Sequence, residues 1–164
     1  MYSDIEAFNL IANFHFFWFV EAEQLMKSAK VLKKHAETNG KDYFGTYQML
    51  RAMAFECYLK AIISLETRSV AFNGTIQKEY QTHKLELLAK KIRSINFSEL
   101  DHQMLDTLTH WIFLGRYPLA KSANGIFYDA DIPWSDNLEK NIENLLDRLR
   151  GRCVCNPPPI IELL

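Results

Sequence analysis

Charge of one sign is what this chain most plainly lacks: 19 Lys and Arg stand against 20 Asp and Glu, a net of −1. No global basic field advertises nucleic acid, which leaves only local patches to consider. Cysteine is scarce, with Cys57, Cys153 and Cys155 alone. An odd count without a secretion signal excludes a disulfide framework and predicts a reducing, cytoplasmic setting. Cys153-x-Cys155 has no second close pair, so no metal site is expected, and Cys57 reads as a small buried hydrophobe. Long apolar runs are missing too. The most hydrophobic stretch, AFNLIANFHFFWFV at 7–20, is too short to span a bilayer and is interrupted by Asn9, Asn13 and His15. No basic region precedes it and no small-residue cleavage site follows it, so neither a membrane span nor a leader is expected. A Gly-rich phosphate loop, a dinucleotide fingerprint and a serine triad are absent, as is any internal repeat, and no cofactor is implied.

What is present is helical periodicity. The 164 residues and the 48% apolar share suit one soluble domain with its own core. Arg51–Glu66, with Leu50 just before it, carries two apolar stripes, Leu50, Ala54, Tyr58, Ala61 and Leu65 beside Phe55, Leu59, Ile62 and Ile63. Two stripes imply neighbours on two sides, hence a central helix. Around it the pattern predicts a first helix over about 4–37, opened by Ser3 and Glu6 at capping-box spacing. A third helix is predicted over His83–Ile95 with Thr82 as N-cap, which puts His83 in the first turn. A fourth starts at Ser98 with Asp101, carries Leu105, Leu108, Trp111 and Ile112, and ends at Gly115. The last presents Leu138, Ile142, Leu145 and Leu149 and ends at Gly151. Asn73-Gly74 marks a turn within the longer connection after the central helix, and 119–133 reads as a long loop. The expectation is an all-α, up-and-down bundle of about five helices over 1–151, followed by a Pro-rich tail at 152–164. Phe14, Phe16, Phe17, Trp18 and Phe19 are too many rings for one small bundle to cover, which points to a homodimer. Lysines 27, 30, 33 and 34 form the one dense basic cluster, as expected near a helix C-terminus.

Polar residues stand out in three places. Glu56 and Lys60, four apart, lie inside the greasy central helix, either as a solvated i,i+4 pair or as a charged pair at the lip of a groove. His83 and Lys84 open the third helix, whose first-turn N–H groups suit a phosphate. Arg116 and Tyr117 follow the fourth, with Arg116 offering either a bidentate fork or a structural ion pair with Glu56 or another helix carboxylate. His83 with Arg116 and Lys60 also has the ingredients of a metal-independent ribonuclease, a base and phosphate-neutralising cations.

The segments AFECYLKAIISLE at 54–66, THKLELLAKKI at 82–92 and GRYP at 115–118, in this order and spacing, resemble the HEPN family of small helical nucleotide-binding domains. The resemblance implies a bundle of four or five helices, homodimers, and binding or cutting of RNA in prokaryotic defence or toxin–antitoxin systems. Ribonuclease members carry Arg followed by four to six residues and then His. No arginine here meets that spacing; His110 and Arg116 have it in reverse. The chain therefore resembles the non-nuclease members, found beside nucleotidyltransferases. The expectation is a non-catalytic module for a nucleotide, RNA or a nucleotidyltransferase-type partner, with Glu56, Lys60, His83, Lys84, Arg116 and Tyr117 as binding candidates. The alternatives are a ribonuclease with a relocated His and Arg, and a helical adaptor whose polar cluster is structural.

Overall fold

A computed structural model describes residues 2–39, 44–116 and 135–154, with the side chains of 36, 39, 44, 115 and 116 outside the description. The architecture is all-α, and its helices are arranged about α3 (Phe44–Thr67). Ala52, Ala54 and Ala61 let neighbours approach this helix closely, and Phe55, Tyr58, Leu59, Ile62 and Ile63 are buried around its circumference. α2 (His15–Asn39) lies along α3 over the most extensive helix contact among the described residues, and α4 (Leu85–Ala89), α5 (Glu99–Arg116) and α6 (Asp136–Val154) pack on its other sides. The predicted apolar faces meet there: Leu85 and Leu88 of α4, Leu105, Leu108, Trp111 and Ile112 of α5, Ile142, Leu145 and Leu149 of α6. Burying each such side chain stabilises by ~1.5–3 kcal/mol, so this shared core holds the helices together. Among the described residues no helix is long and apolar enough to cross a membrane.

Four boundaries depart from the sequence expectation, each for a tertiary reason. The predicted first helix is two, α1 (Asp4–Ala12) and α2, broken at Asn13 and Phe14. The Ser3–Glu6 capping box does open α1. At the break, Asn13 turns its side chain away to donate to the Ala71 carbonyl at 2.9 Å and accept from the Ala71 N–H at 2.7 Å. Its own carbonyl accepts from Ser64 Oγ at 2.6 Å, and the Ala12 carbonyl accepts from the Trp18 indole at 2.8 Å. These side-chain bonds compete with the helical ladder at the Ala12 and Asn13 carbonyls, and the helix breaks there.

Asn13 is held by a feature no periodicity announced, an antiparallel hairpin of β1 (Ala71–Phe72) and β2 (Thr75–Ile76), with Ala71 opposite Ile76 and Phe72 opposite Thr75. Its turn is the predicted Asn73-Gly74, with φ of 50° and 74°, both left-handed as a two-residue hairpin turn requires. Asn9 Oδ1 accepts the Gly74 N–H at 3.0 Å, so α1 grips both ends of the hairpin. Two-residue strands are too short to alternate legibly.

The third helix shrinks to the single turn of α4, with Lys84 as N-cap. Thr82 does not cap it. His83 lies before the helix rather than in its first turn. At the far end Glu66 accepts the N–H groups of Arg93 and Ser94, both at 2.9 Å, and pulls the chain out of helical register. By contrast α6 continues past Gly151 to Val154, so the predicted tail boundary at 152 falls inside a helix. Arg152 Nε donates to Ser94 Oγ at 2.9 Å, and Cys153 is buried with its thiol 3.9 Å from the Tyr58 carbonyl. These contacts outweigh the ~1 kcal/mol that glycine costs a helix. The start of α5 matches: Asp101 Oδ2 accepts the Ser98 N–H at 2.7 Å and Ser98 Oγ accepts the Asp101 N–H at 3.2 Å. The 119–133 segment and residues from Cys155 onward lie outside the described residues.

Candidate functional site

Glu56 projects from the middle of α3, a helix whose other side chains are mostly apolar. It is 8% exposed and Lys60, one turn on, is 7% exposed, so this is not a solvated edge pair. Oε1 of Glu56 accepts from Lys60 Nζ at 2.7 Å. Oε2 pairs with Nδ1 of His83 at 2.8 Å. A carboxylate beside an ammonium accepts only, so the imidazole carries its proton on Nδ1 toward Glu56. The other face of Lys60 rests on the Trp18 ring of α2, 5.2 Å from the centroid, a cation–π contact that helps offset the desolvation of the ammonium. Trp18, Lys60, Glu56 and His83 thus form one relay from α2 across α3 to the segment before α4.

The expected candidates do not all gather here. Glu56, Lys60 and His83 do. The Lys84 side chain is exposed at the N-cap of α4. Arg116 ends α5 with its side chain outside the described residues, and Tyr117 lies outside them altogether. The expected phosphate cradle at the start of the third helix is corrected. The Leu85 N–H donates to Thr109 Oγ1 at 3.0 Å and the Lys84 N–H to Thr82 Oγ1 at 3.1 Å, and a single turn has little dipole to offer an anion. The anticipated Arg116–Glu56 pairing meets a carboxylate whose two oxygens already have Lys60 and His83. What the cluster can do chemically is hold an imidazole, 39% exposed at its side chain, in one tautomer and one orientation against the body of the protein.

Sequence reading missed a second cluster nearer the start of α3. Arg51, 1% exposed, donates from Nη1 to Glu139 Oε2 of α6 at 2.6 Å and to the Tyr47 hydroxyl at 2.9 Å. Lys33 of α2 joins Glu139 at 2.9 Å, so one carboxylate ties three helices. Burial pushes the Glu139 carboxyl up, but the Arg51 charge and its hydrogen bonds to Arg51 and Lys33 outweigh this and hold it below the usual range. Burial pushes the Tyr47 phenol up to about 12, so it stays a hydrogen-bond donor. The signal was there: an arginine within an otherwise apolar helical face, four residues after a tyrosine.

No known protein family, curated protein or solved structure matches this chain.

Proposed function

We propose that the chain is an HEPN-like, non-catalytic module that binds a phosphate-bearing ligand, a nucleotide or RNA, at the face where His83 meets α3. It acts as a homodimer, beside a nucleotidyltransferase-type partner in a prokaryotic defence or toxin–antitoxin setting. One observation carries the reading: the 2.8 Å bond from His83 to Glu56 joins two of the three segments in which the resemblance resides, 54–66 and 82–92. The resembling residues meet in space at charged groups that core packing does not require. The all-α architecture and the aromatic row at the start of α2 are compatible with the family and with a dimer.

A second reading, RNA cleavage, is favoured by the same bond, because an imidazole oriented by a carboxylate is the form a general base takes. Fluorescence anisotropy of a labelled mixed-sequence RNA at low and moderate salt, with the same samples run on a denaturing gel, separates the two. Binding that weakens with salt, intact RNA, and about tenfold weaker binding by His83→Ala and by Lys84→Ala support the module. Cut RNA that disappears in His83→Ala replaces it with the ribonuclease. Absence of binding at low salt defeats both RNA readings and leaves a free nucleotide or a protein partner.

A further inference from the structure

Between α2 and α6 runs a groove floored by α3, with a volume of about 280 Å³. The two walls differ in charge. Lys30 and Lys33 stand on the α2 side, Glu143 and Asp147 on the α6 side, and the Tyr47 and Arg51 side chains line the floor. Met26 and Leu146 supply apolar surface between them. A volume near the lower end of the ~300–1,000 Å³ range of small-molecule sites is too small for a protein segment or a nucleic-acid strand. It holds roughly nine waters' worth of liquid, or one compact metabolite.

Arg51 shows what the groove would take. A guanidinium has about five N–H donors in a planar fork. Among the described residues, both hydrogen bonds of Arg51 leave from Nη1, to Tyr47 and Glu139. Nε and Nη2 have no such partner, although the side chain is only 2% exposed and lines the groove. That edge of the guanidinium makes no hydrogen bond to the described residues and borders the groove, and a carboxylate or phosphate is the group whose geometry matches it. Glu139 does not fill this role, since it is already shared between Arg51 and Lys33. Glu143 and Asp147, one helical turn apart and exposed, offer a cation two carboxylates on the opposite wall.

We propose that this groove is a binding site for a small zwitterion, its anionic group forked on Arg51 beside Lys30 and its ammonium group held by Glu143 and Asp147. The site is separate from the His83 cluster: Arg51 and Glu56 are about 7.5 Å apart along the α3 axis and point about 140° apart around it. The inference goes beyond the reading above and does not depend on it. A carboxylate and a phosphate meet Arg51 alike, so two probes distinguish the sources, 4-aminobutyrate and ethanolamine phosphate.

Calorimetric titration of the full chain with these two, and with inorganic phosphate and putrescine, tests the site. At least one zwitterion is expected to bind at least tenfold more tightly than either probe of a single charge sign. Glu143→Gln/Asp147→Asn alters exposed residues outside the core, so the fold is retained; it is expected to lose at least tenfold for the zwitterion and to leave phosphate unaffected. Arg51→Lys, which keeps the charge opposite Glu139 but not the fork, is expected to weaken the zwitterion comparably. Equal binding of phosphate, preference for putrescine, an unchanged α6 double variant, or no heat from any probe would overturn the proposal and leave the Arg51 network as a structural tie.

Discussion

At the scale of single residues, the molecule spends its stability on charged groups that apolar side chains could replace. Lys60 is buried because Glu56 neutralises it and Trp18 covers it. Glu56→Gln leaves that ammonium without its anion and is expected to cost about 3 kcal/mol in urea unfolding, while Glu56→Gln/Lys60→Met recovers most of the loss. Failure of the double variant to recover would mean that the His83 bond, not the Lys60 pair, carries the stability. The carboxylates that tie helices together set the acid limit. Glu139, Asp101 and Glu66 are pushed up by burial, but their hydrogen bonds and cationic neighbours bring them below the usual carboxylate range. A carboxyl lowered in the folded state stabilises fully above its unfolded pKa and loses that contribution as pH falls through the folded one. The melting temperature is therefore expected to be flat from about pH 7 to 5 and to fall below about 4.5. Glu139→Gln lowers it at neutral pH but makes the acid fall shallower, which a thermal-melt series in pH reads directly.

At the scale of elements, α1 and the hairpin behave as one clamp. The capping box that starts α1 was readable because its signal, Ser3 and Glu6, is local. Its end was not, because Asn13 stops the helix by bonding to Ala71, which is 58 residues away in sequence. The two asparagines that interrupt the most hydrophobic run of the chain are thus the grips on the hairpin, Asn13 on Ala71 and Asn9 on Gly74. Asn13→Ala strands the N–H and C=O of buried Ala71 and is expected to cost about 2 kcal/mol. Hydrogen exchange at the Ala71, Gly74 and Gln77 amides should accelerate well beyond that of the α3 core amides. Uniform acceleration would instead mean that the clamp and the bundle open together. α4 and α6 teach the same lesson at their C-terminal ends, where Glu66 shortens one and Ser94 and Tyr58 prolong the other.

At the scale of the whole molecule, exposed apolar side chains gather at the α1–α2 junction. Phe14, Phe16 and Phe17 form ring contacts there, and Phe16 continues to Phe19, which in turn touches Tyr58. Phe16 and Phe17 remain 41% and 42% exposed, and Ile5 and Phe8 of α1 are exposed as well. A stable homodimer needs about 800 Å² from each partner, and an aromatic patch is the kind of surface that supplies its centre. With the dimer proposed above, light scattering is expected to give twice the 19.2 kDa chain mass and, for Phe16→Asp/Phe17→Asp, the single mass with unchanged helical circular dichroism. A monomer before mutation would remove the dimer from the reading and leave this patch to another partner.

The sequence by itself determined the helical class, the central position of α3, the apolar faces of α5 and α6, the capping at Ser3 and Ser98, and the Asn73-Gly74 turn. All of these rest on interactions between residues within a few positions of one another, or on the period at which apolar side chains recur. It also marked Glu56, Lys60 and His83 as out of place. Only the tertiary structure decided that these three touch, that Trp18 covers Lys60, and that His83 stands before α4 and not within it. The same holds for the Tyr47–Arg51–Glu139–Lys33 network, whose members come from three helices. Such contacts close long loops, and their register depends on how whole helices pack, which no local pattern encodes.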